Sequence, residues 1–180
     1  LTPALAADIT LQPLRRFGMD AAILFSDLPI VSLGLGQALR YAEGEGPLLP
    51  PIRSAADLDA LSLDRVAEIV APVWETVRRV AADIGPATLI GFSGAPFTVA
   101  CYMVEGHGSR DFAAARLMAY RDPEMFARLI DLIIAGNLIY LRGQADAGAE
   151  VLMLFDSWAG MLPPAEFRRC RRKHPRSRKH

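Results

Sequence analysis

Three apolar runs in this 180-residue chain end in side chains that could do acid–base or hydrogen-bond chemistry. Residues 20–26 lead into Ser26 and Asp27, residues 87–92 into Ser93, and residues 150–155 into Asp156 and Ser157. An ionised carboxylate at the end of a buried run is costly unless something compensates it. The bland reading of Asp27 is a helix cap or a turn residue. The sharper reading is a site for a cationic or N–H-rich ligand. One polar strand end makes a turn; three along one edge make the floor of a pocket, which favours the sharper reading.

Other chemistries fit less well. "GLGQAL" offers Gly34 and Gly36 but lacks the third glycine of a dinucleotide fingerprint, and no P-loop pattern occurs. His107 has no His, Cys or acid at metal-ligand spacing and reads as an exposed loop residue. "GFSGA", residues 91–95, follows a strand and precedes a helix as a nucleophile elbow does. Its last position is Ala95, however, and only histidines at the far end of the chain follow the candidate acids. Thr98 and Tyr102 fall on one helix face. Tyr102 and Trp158 read first as core aromatics whose polar atoms need partners.

The elements that must hold these groups alternate. Residues 3–17 read as a helix broken in its last turn by Pro13. Residues 35–54 are rich in Gly and Pro and read mostly as loop. Residues 54–61 form a short helix, and Ser62 or Asp64 caps a long one to about Ile84 with a kink at Pro72. Residues 96–105 and 109–120 are helical, the second capped by Ser109. Asp122, Pro123 and Glu124 start a helix that ends near Gly148. Another helix begins at Pro163. Continuous rather than alternating apolar strands are those of a parallel sheet covered by helices, so the class is α/β.

Composition bounds the answer. With 52% hydrophobic residues the chain is globular. No apolar run approaches the ~20 residues of a membrane span; the longest, 129–141, is interrupted by Asp131 and Asn137. The first residues do not read as a signal peptide. Cys101 and Cys170 give neither a disulfide framework nor a metal spacing, so a reducing, cytoplasmic setting is expected. The net charge of zero conceals an asymmetry. Residues 168–180 carry eight Lys and Arg and no acid, whereas residues 1–167 carry twelve arginines against twenty carboxylates, a balance of −8. Two readings of this basic, disordered tail stand: an arm for nucleic acid or another anionic surface, or a frame-shifted C-terminus. The second is preferred, so no nucleic-acid partner is expected.

Taken together, "TLQPLRRFGMDAAILFSDLPIVSLGLG", "GEGP", "LIGFSGAPFTVACYMVEG" and "FDSWAG" resemble the uroporphyrinogen decarboxylase family, in order and in approximate spacing. The resemblance covers residues 1–167 and only the front half of the family's chain. It implies a partial (β/α)8 TIM barrel with about three parallel strands and helical crossovers. It also implies decarboxylation of the four acetate side chains of uroporphyrinogen III to coproporphyrinogen III in porphyrin and haem biosynthesis. The family uses no cofactor or metal and is typically a homodimer. By motif, Asp27 resembles the carboxylate that accepts pyrrole N–H groups, Tyr102 the substrate-binding tyrosine, and Ser157 the serine that contacts a substrate carboxylate. The family's arginine-bearing segment and late histidine have no counterpart here. A truncated, non-catalytic chain is therefore the alternative expectation, and a related barrel methyltransferase a weaker one.

Overall fold

The computed structural model describes residues 2–42, 44 and 46–171. In chain order, helix α1 (Pro3–Phe17) leads into strand β1 (Ala21–Ile23), helix α2 (Ile30–Gly34) and a hairpin of β2 (Arg40–Ala42) and β3 (Gly46–Leu48). Helices α3 (Ala55–Asp59) and α4 (Val66–Asp83) precede strand β4 (Thr88–Gly94). Helices α5 (Pro96–Glu105), α6 (Ala113–Arg121) and α7 (Pro123–Asp146) then lead to strand β5 (Val151–Phe155), a 3-10 turn (Ala159–Met161) and helix α8 (Pro164–Arg171). Strands β1, β4 and β5 form one parallel sheet in that order, with Ile23 opposite Ile90 and Ile90 opposite Val151. The class is α/β, with three parallel strands and helical crossovers. Among the described residues no helix is long and apolar enough to cross a membrane.

Sequence chemistry explains most of these elements. In α4, Val66, Val70, Val73, Val77 and Val80 recur at three- and four-residue steps and are all buried. Each stabilises by about 1.5–3 kcal/mol relative to exposure. The Asp122 side chain accepts the Met125 N–H at 3.0 Å while Pro123, which has no N–H to leave unpaired, opens α7. Ser54 and Asp57 form a reciprocal capping box on α3.

Several expectations are corrected. Pro13 does not break α1, which runs on to Phe17 and is closed by Gly18 at φ 62°. A proline removes a single intrahelical bond, and buried Ala7, Thr10 and Leu11 keep the helix seated. The segment read as loop contains the small hairpin of β2 and β3. Helix α4 starts at Val66 rather than after Ser62 or Asp64, because the Ser62 hydroxyl accepts the Asp64 N–H at 3.1 Å in a local turn. Ser109 serves a turn before α6, accepting the Phe112 N–H at 3.1 Å. Of the three runs read as buried strands, only β4 is enclosed. Ile23 in β1 is 51% exposed and Leu154 in β5 is also 51% exposed, since both are outer strands of a three-stranded sheet. Of the basic segment read as a disordered tail, residues 168–171 lie in the last turns of α8, and residues 172–180 lie outside the described residues.

The decisive local feature is that β1 leaves β4 early. The Leu24 N–H still donates to the Ile90 carbonyl at 2.9 Å. In a parallel ladder alternate residues face the same neighbour, so Phe92 and Gly94 also aim their peptide groups toward β1. They meet α7 instead. Gln144 accepts the Phe92 N–H at 2.9 Å and donates to the Phe92 carbonyl at 2.9 Å. Asn137 donates to the Gly94 carbonyl at 2.9 Å. Two amide side chains thus take the place of the missing ladder.

Gln144→Leu leaves both Phe92 groups buried without partners, at about 1–3 kcal/mol each. A clear fall in the urea unfolding midpoint is expected. Gly91→Ala is expected to act similarly, because its Cβ would stand 2.5 Å from the Gln144 Oε1. Midpoints unchanged in both variants would refute this account of the strand junction.

Candidate functional site

Parallel strands place their C-terminal ends on one edge, the edge where such sheets carry their chemistry. Ser26 and Asp27 leave β1 there, Ala95 and Pro96 lead from β4 into α5, and Asp156 and Ser157 leave β5. Gly94 permits the close approach that joins the first two. A Cβ at Gly94 would stand 2.7 Å from the Leu28 carbonyl oxygen, so the Asp27–Leu28 turn packs directly on the end of β4.

The end of β1 is gripped from two sides. On its outer edge the Thr10 hydroxyl of α1 accepts the Phe25 N–H at 2.9 Å. On the α7 side, Ser26 Oγ lies 3.0 Å from the fully buried Tyr140 hydroxyl. Asp27 itself is half-buried. Tyr41 of β2 is an electrostatic neighbour of the Asp27 carboxylate and of Tyr102. The Tyr41 hydroxyl is held well above the ordinary phenol range, first by partial burial, then by the Asp27 charge and hydrogen bond, then by Tyr102. Burial likewise pushes the Tyr140 hydroxyl up; the Ser26 bond lowers it and the Asp27 charge raises it. Among the described residues no arginine is ion-paired with Asp27, and Tyr41 is its phenolic neighbour.

Tyr102 occupies the second half of α5. Its ring meets Phe112 edge-on at 5.8 Å and Trp158 at 6.3 Å, and Phe112 lies 4.8 Å from Trp158. Phe112 is fully buried and sits in the left-handed region at φ 46°. For a non-glycine residue that conformation costs about 1–3 kcal/mol, offset here by burial of the ring. Thr98, one turn before Tyr102, donates to Asp156 Oδ1 at 2.8 Å and accepts the Trp158 N–H at 3.1 Å. That pair docks the turn after β5 onto α5. Ser157, between those two anchors, is exposed.

The last turn of α5 also holds the hairpin that carries Tyr41. Leu49 N–H donates to the Gly106 carbonyl at 2.7 Å, Ile52 N–H to the Met103 carbonyl at 3.0 Å, and Gln37 to the Met103 carbonyl at 3.1 Å. Gly106, at φ 86°, closes α5; a Cβ there would meet the Leu49 carbonyl at 2.7 Å. The stretch after β3 and the "YMVEG" segment are thus two sides of one junction.

Asp27 and Tyr102 share Tyr41 as a neighbour, and Ser157 precedes the tryptophan packed on Tyr102. Ser93 is no exposed nucleophile: it is fully buried and donates to Asn137 Oδ1 at 2.9 Å. His107 is exposed and contacts only the neighbouring Gly108 carbonyl among the hydrogen bonds of the described residues. Tyr41, Phe112 and Tyr140 escaped the sequence reading. Tyr41 lies in a stretch without periodicity. Tyr140 carried a usable signal, because Asn137, Tyr140 and Gln144 fall at three- and four-residue steps in an otherwise apolar helix.

A negative neighbour opposes formation of phenolate, so removing it lowers a phenol's pKa. Asp27→Asn is accordingly expected to move the Tyr41 titration downward, followed by NMR of 13Cζ-labelled tyrosine. A Tyr41 midpoint that stays in place would separate the two groups.

Comparison with known proteins follows the same outline. The family described as Uroporphyrinogen decarboxylase (URO-D) matches residues 1–175. The uroporphyrinogen decarboxylase of Gluconacetobacter diazotrophicus is 54% identical, over 94% of this chain and 51% of that protein. That of Acidiphilium cryptum is 55% identical, over 93% of this chain and 47% of its own length. The chain therefore spans about half the length of the curated relatives it matches. Among solved structures, a methyltransferase from Methanosarcina mazei superposes with a TM-score of 0.76 over 93% of this chain and 50% of that one. At 20% identity that likeness speaks for the fold alone. With a family match along nearly its whole length and relatives above half identity, the chain belongs to the uroporphyrinogen decarboxylase family.

Proposed function

We propose that this chain supplies the Asp27, Tyr102 and Ser157 part of a site that decarboxylates the acetate side chains of uroporphyrinogen III, giving coproporphyrinogen III. The observation that carries this reading is the half-buried Asp27 carboxylate, which follows β1 at the C-terminal edge of a parallel sheet and is ion-paired with no arginine among the described residues. A porphyrinogen presents converging pyrrole N–H donors. Such donors can hydrogen-bond the Asp27 carboxylate and leave it satisfied.

The chemistry then follows from charge. Protonating the pyrrole carbon next to an acetate gives a cationic ring. The C–C bond to the carboxylate breaks, its electron pair neutralises the ring as an exocyclic methylene, and carbon dioxide leaves. A proton taken up by the methylene and loss of the proton on the ring carbon then give the methyl group. A fixed negative charge under the ring stabilises that cation more than the neutral ground state, which is what lowers a barrier. One charge-assisted contact of this kind is worth about 1.5–3 kcal/mol, or roughly tenfold to a hundredfold in rate. Tyr102, tied to the Phe112–Trp158 cluster, supports one face of the pocket, and the exposed Ser157 hydroxyl supplies a hydrogen bond to a substrate carboxylate. The reading carries with it a homodimeric enzyme in a cytoplasmic setting, in porphyrin and haem synthesis.

The test is anaerobic incubation of the purified chain with uroporphyrinogen III, alone and mixed with the C-terminal half of the Gluconacetobacter diazotrophicus relative, with chromatography of the products. Formation of coproporphyrinogen III in either arm is expected. Asp27→Asn should lower the rate at least tenfold while circular dichroism shows an unchanged fold. Undiminished turnover in that variant would remove Asp27 from the mechanism. No product in either arm, from a folded chain, would favour a non-catalytic role.

A further inference from the structure

Helix α7 carries a polar stripe where a core-facing helix should be apolar. Asn137, Tyr140 and Gln144 lie on one face and are at most 4% exposed. Buried polar groups need partners, and each of these has one. Asn137 and Gln144 spend theirs on the β4 backbone. Tyr140 does something different. Its hydroxyl passes β4 and reaches Ser26 Oγ at 3.0 Å, on the residue immediately before Asp27.

Tyr140 is itself unusually constrained. Its backbone carbonyl accepts the Trp74 indole N–H at 3.0 Å, a contact that Gly143 makes possible; a Cβ at Gly143 would stand 2.1 Å from the Trp74 ring. The ring is fully buried, so no ligand in the cleft touches it. The backbone around Ser26 has few other holds. β1 has already parted from β4, the Phe25 N–H goes to Thr10, and the Asp27 carbonyl accepts only a long 3.3 Å bond from the Ile30 N–H. The Asp27 charge nonetheless acts on the Tyr140 hydroxyl, raising it against the lowering effect of the Ser26 bond.

We propose that Tyr140 is a positioning residue for the Asp27 carboxylate: bonded to Ser26, its hydroxyl fixes the strand end from which Asp27 reaches the ligand. This rests on the proposed function for the identity of that ligand, though not for the contact itself. The splay of β1 from β4 leaves the Asp27 turn without ladder bonds. A rigid helix held by Trp74 supplies the missing anchor. Loss of the hydroxyl then lets the carboxylate wander, and it acts only through Asp27.

Two measurements decide it. The first needs no ligand. Hydrogen exchange of the 25–30 segment should be at least tenfold faster in Tyr140→Phe, with β4 amides unchanged; equal protection of that segment in wild type and variant would overturn the proposal. The second is a double-mutant cycle. Trp158 packs on Tyr102, so its fluorescence reports entry of a ligand. Anaerobic titration with uroporphyrinogen III should show about tenfold weaker binding in Tyr140→Phe than in wild type. On an Asp27→Asn background the same change should have no further effect. A loss of equal size on both backgrounds, or none on either, would make Tyr140 merely structural and overturn the proposal. If wild-type chain does not bind uroporphyrinogen at all, the proposed function fails, and the exchange result alone decides whether Tyr140 orders the Asp27 turn.

Discussion

The structure depends on how one peptide group is satisfied. Phe92, in the central strand, points its N–H and carbonyl toward a neighbour that has already turned away. A buried peptide group left unpaired costs as much as a lost hydrogen bond or more. The Gln144 amide answers both halves at once, with a donor and an acceptor 2.9 Å from their partners. This allows β1 to leave the sheet three residues into its pairing. Without that freedom Ser26 and Asp27 would continue the ladder instead of turning away from β4.

The remaining contacts make the departure reproducible. Thr10 holds the outer edge of β1, Tyr140 holds Ser26, and the Gly94 gap receives the Leu28 carbonyl. On the other side Thr98 clamps the turn after β5 through Asp156 and Trp158, and the strained Phe112 fills the space beneath. The site is assembled from three strand ends and one hairpin, none rigid alone. Helices α5 and α7 carry the parts that bind them. An electrostatic device needs this, since a charge that relaxes during reaction stabilises nothing selectively.

The sheet has a different character at its margins. Ile23 and Phe25 beside β1, and Val151 and Met153 of β5, present apolar side chains to solvent. Outer strands with such faces are templates for further pairing. The curated relatives are about twice as long as this chain, and a complete barrel of this type joins eight strands.

Much of this was legible in residue order. The valine spacing specified α4, Asp122 and Pro123 the start of α7, and the continuous apolar runs a parallel sheet with polar ends on one edge. The family segments singled out Asp27 and Ser157, which follow β1 and β5 at that edge, and Tyr102, which lies on α5. Periodicity reports only how a residue sits within its own element, and that is all these features require. Tertiary structure decided the rest: that β1 would stop after three residues, that Tyr41 from an aperiodic stretch would cover Asp27, that Ser93 would be buried against Asn137, and that Tyr140 would reach Ser26. Each of those is a pairing between residues far apart in the chain. Such pairings are set by which surfaces the packed helices bring together, and no local pattern encodes that distance.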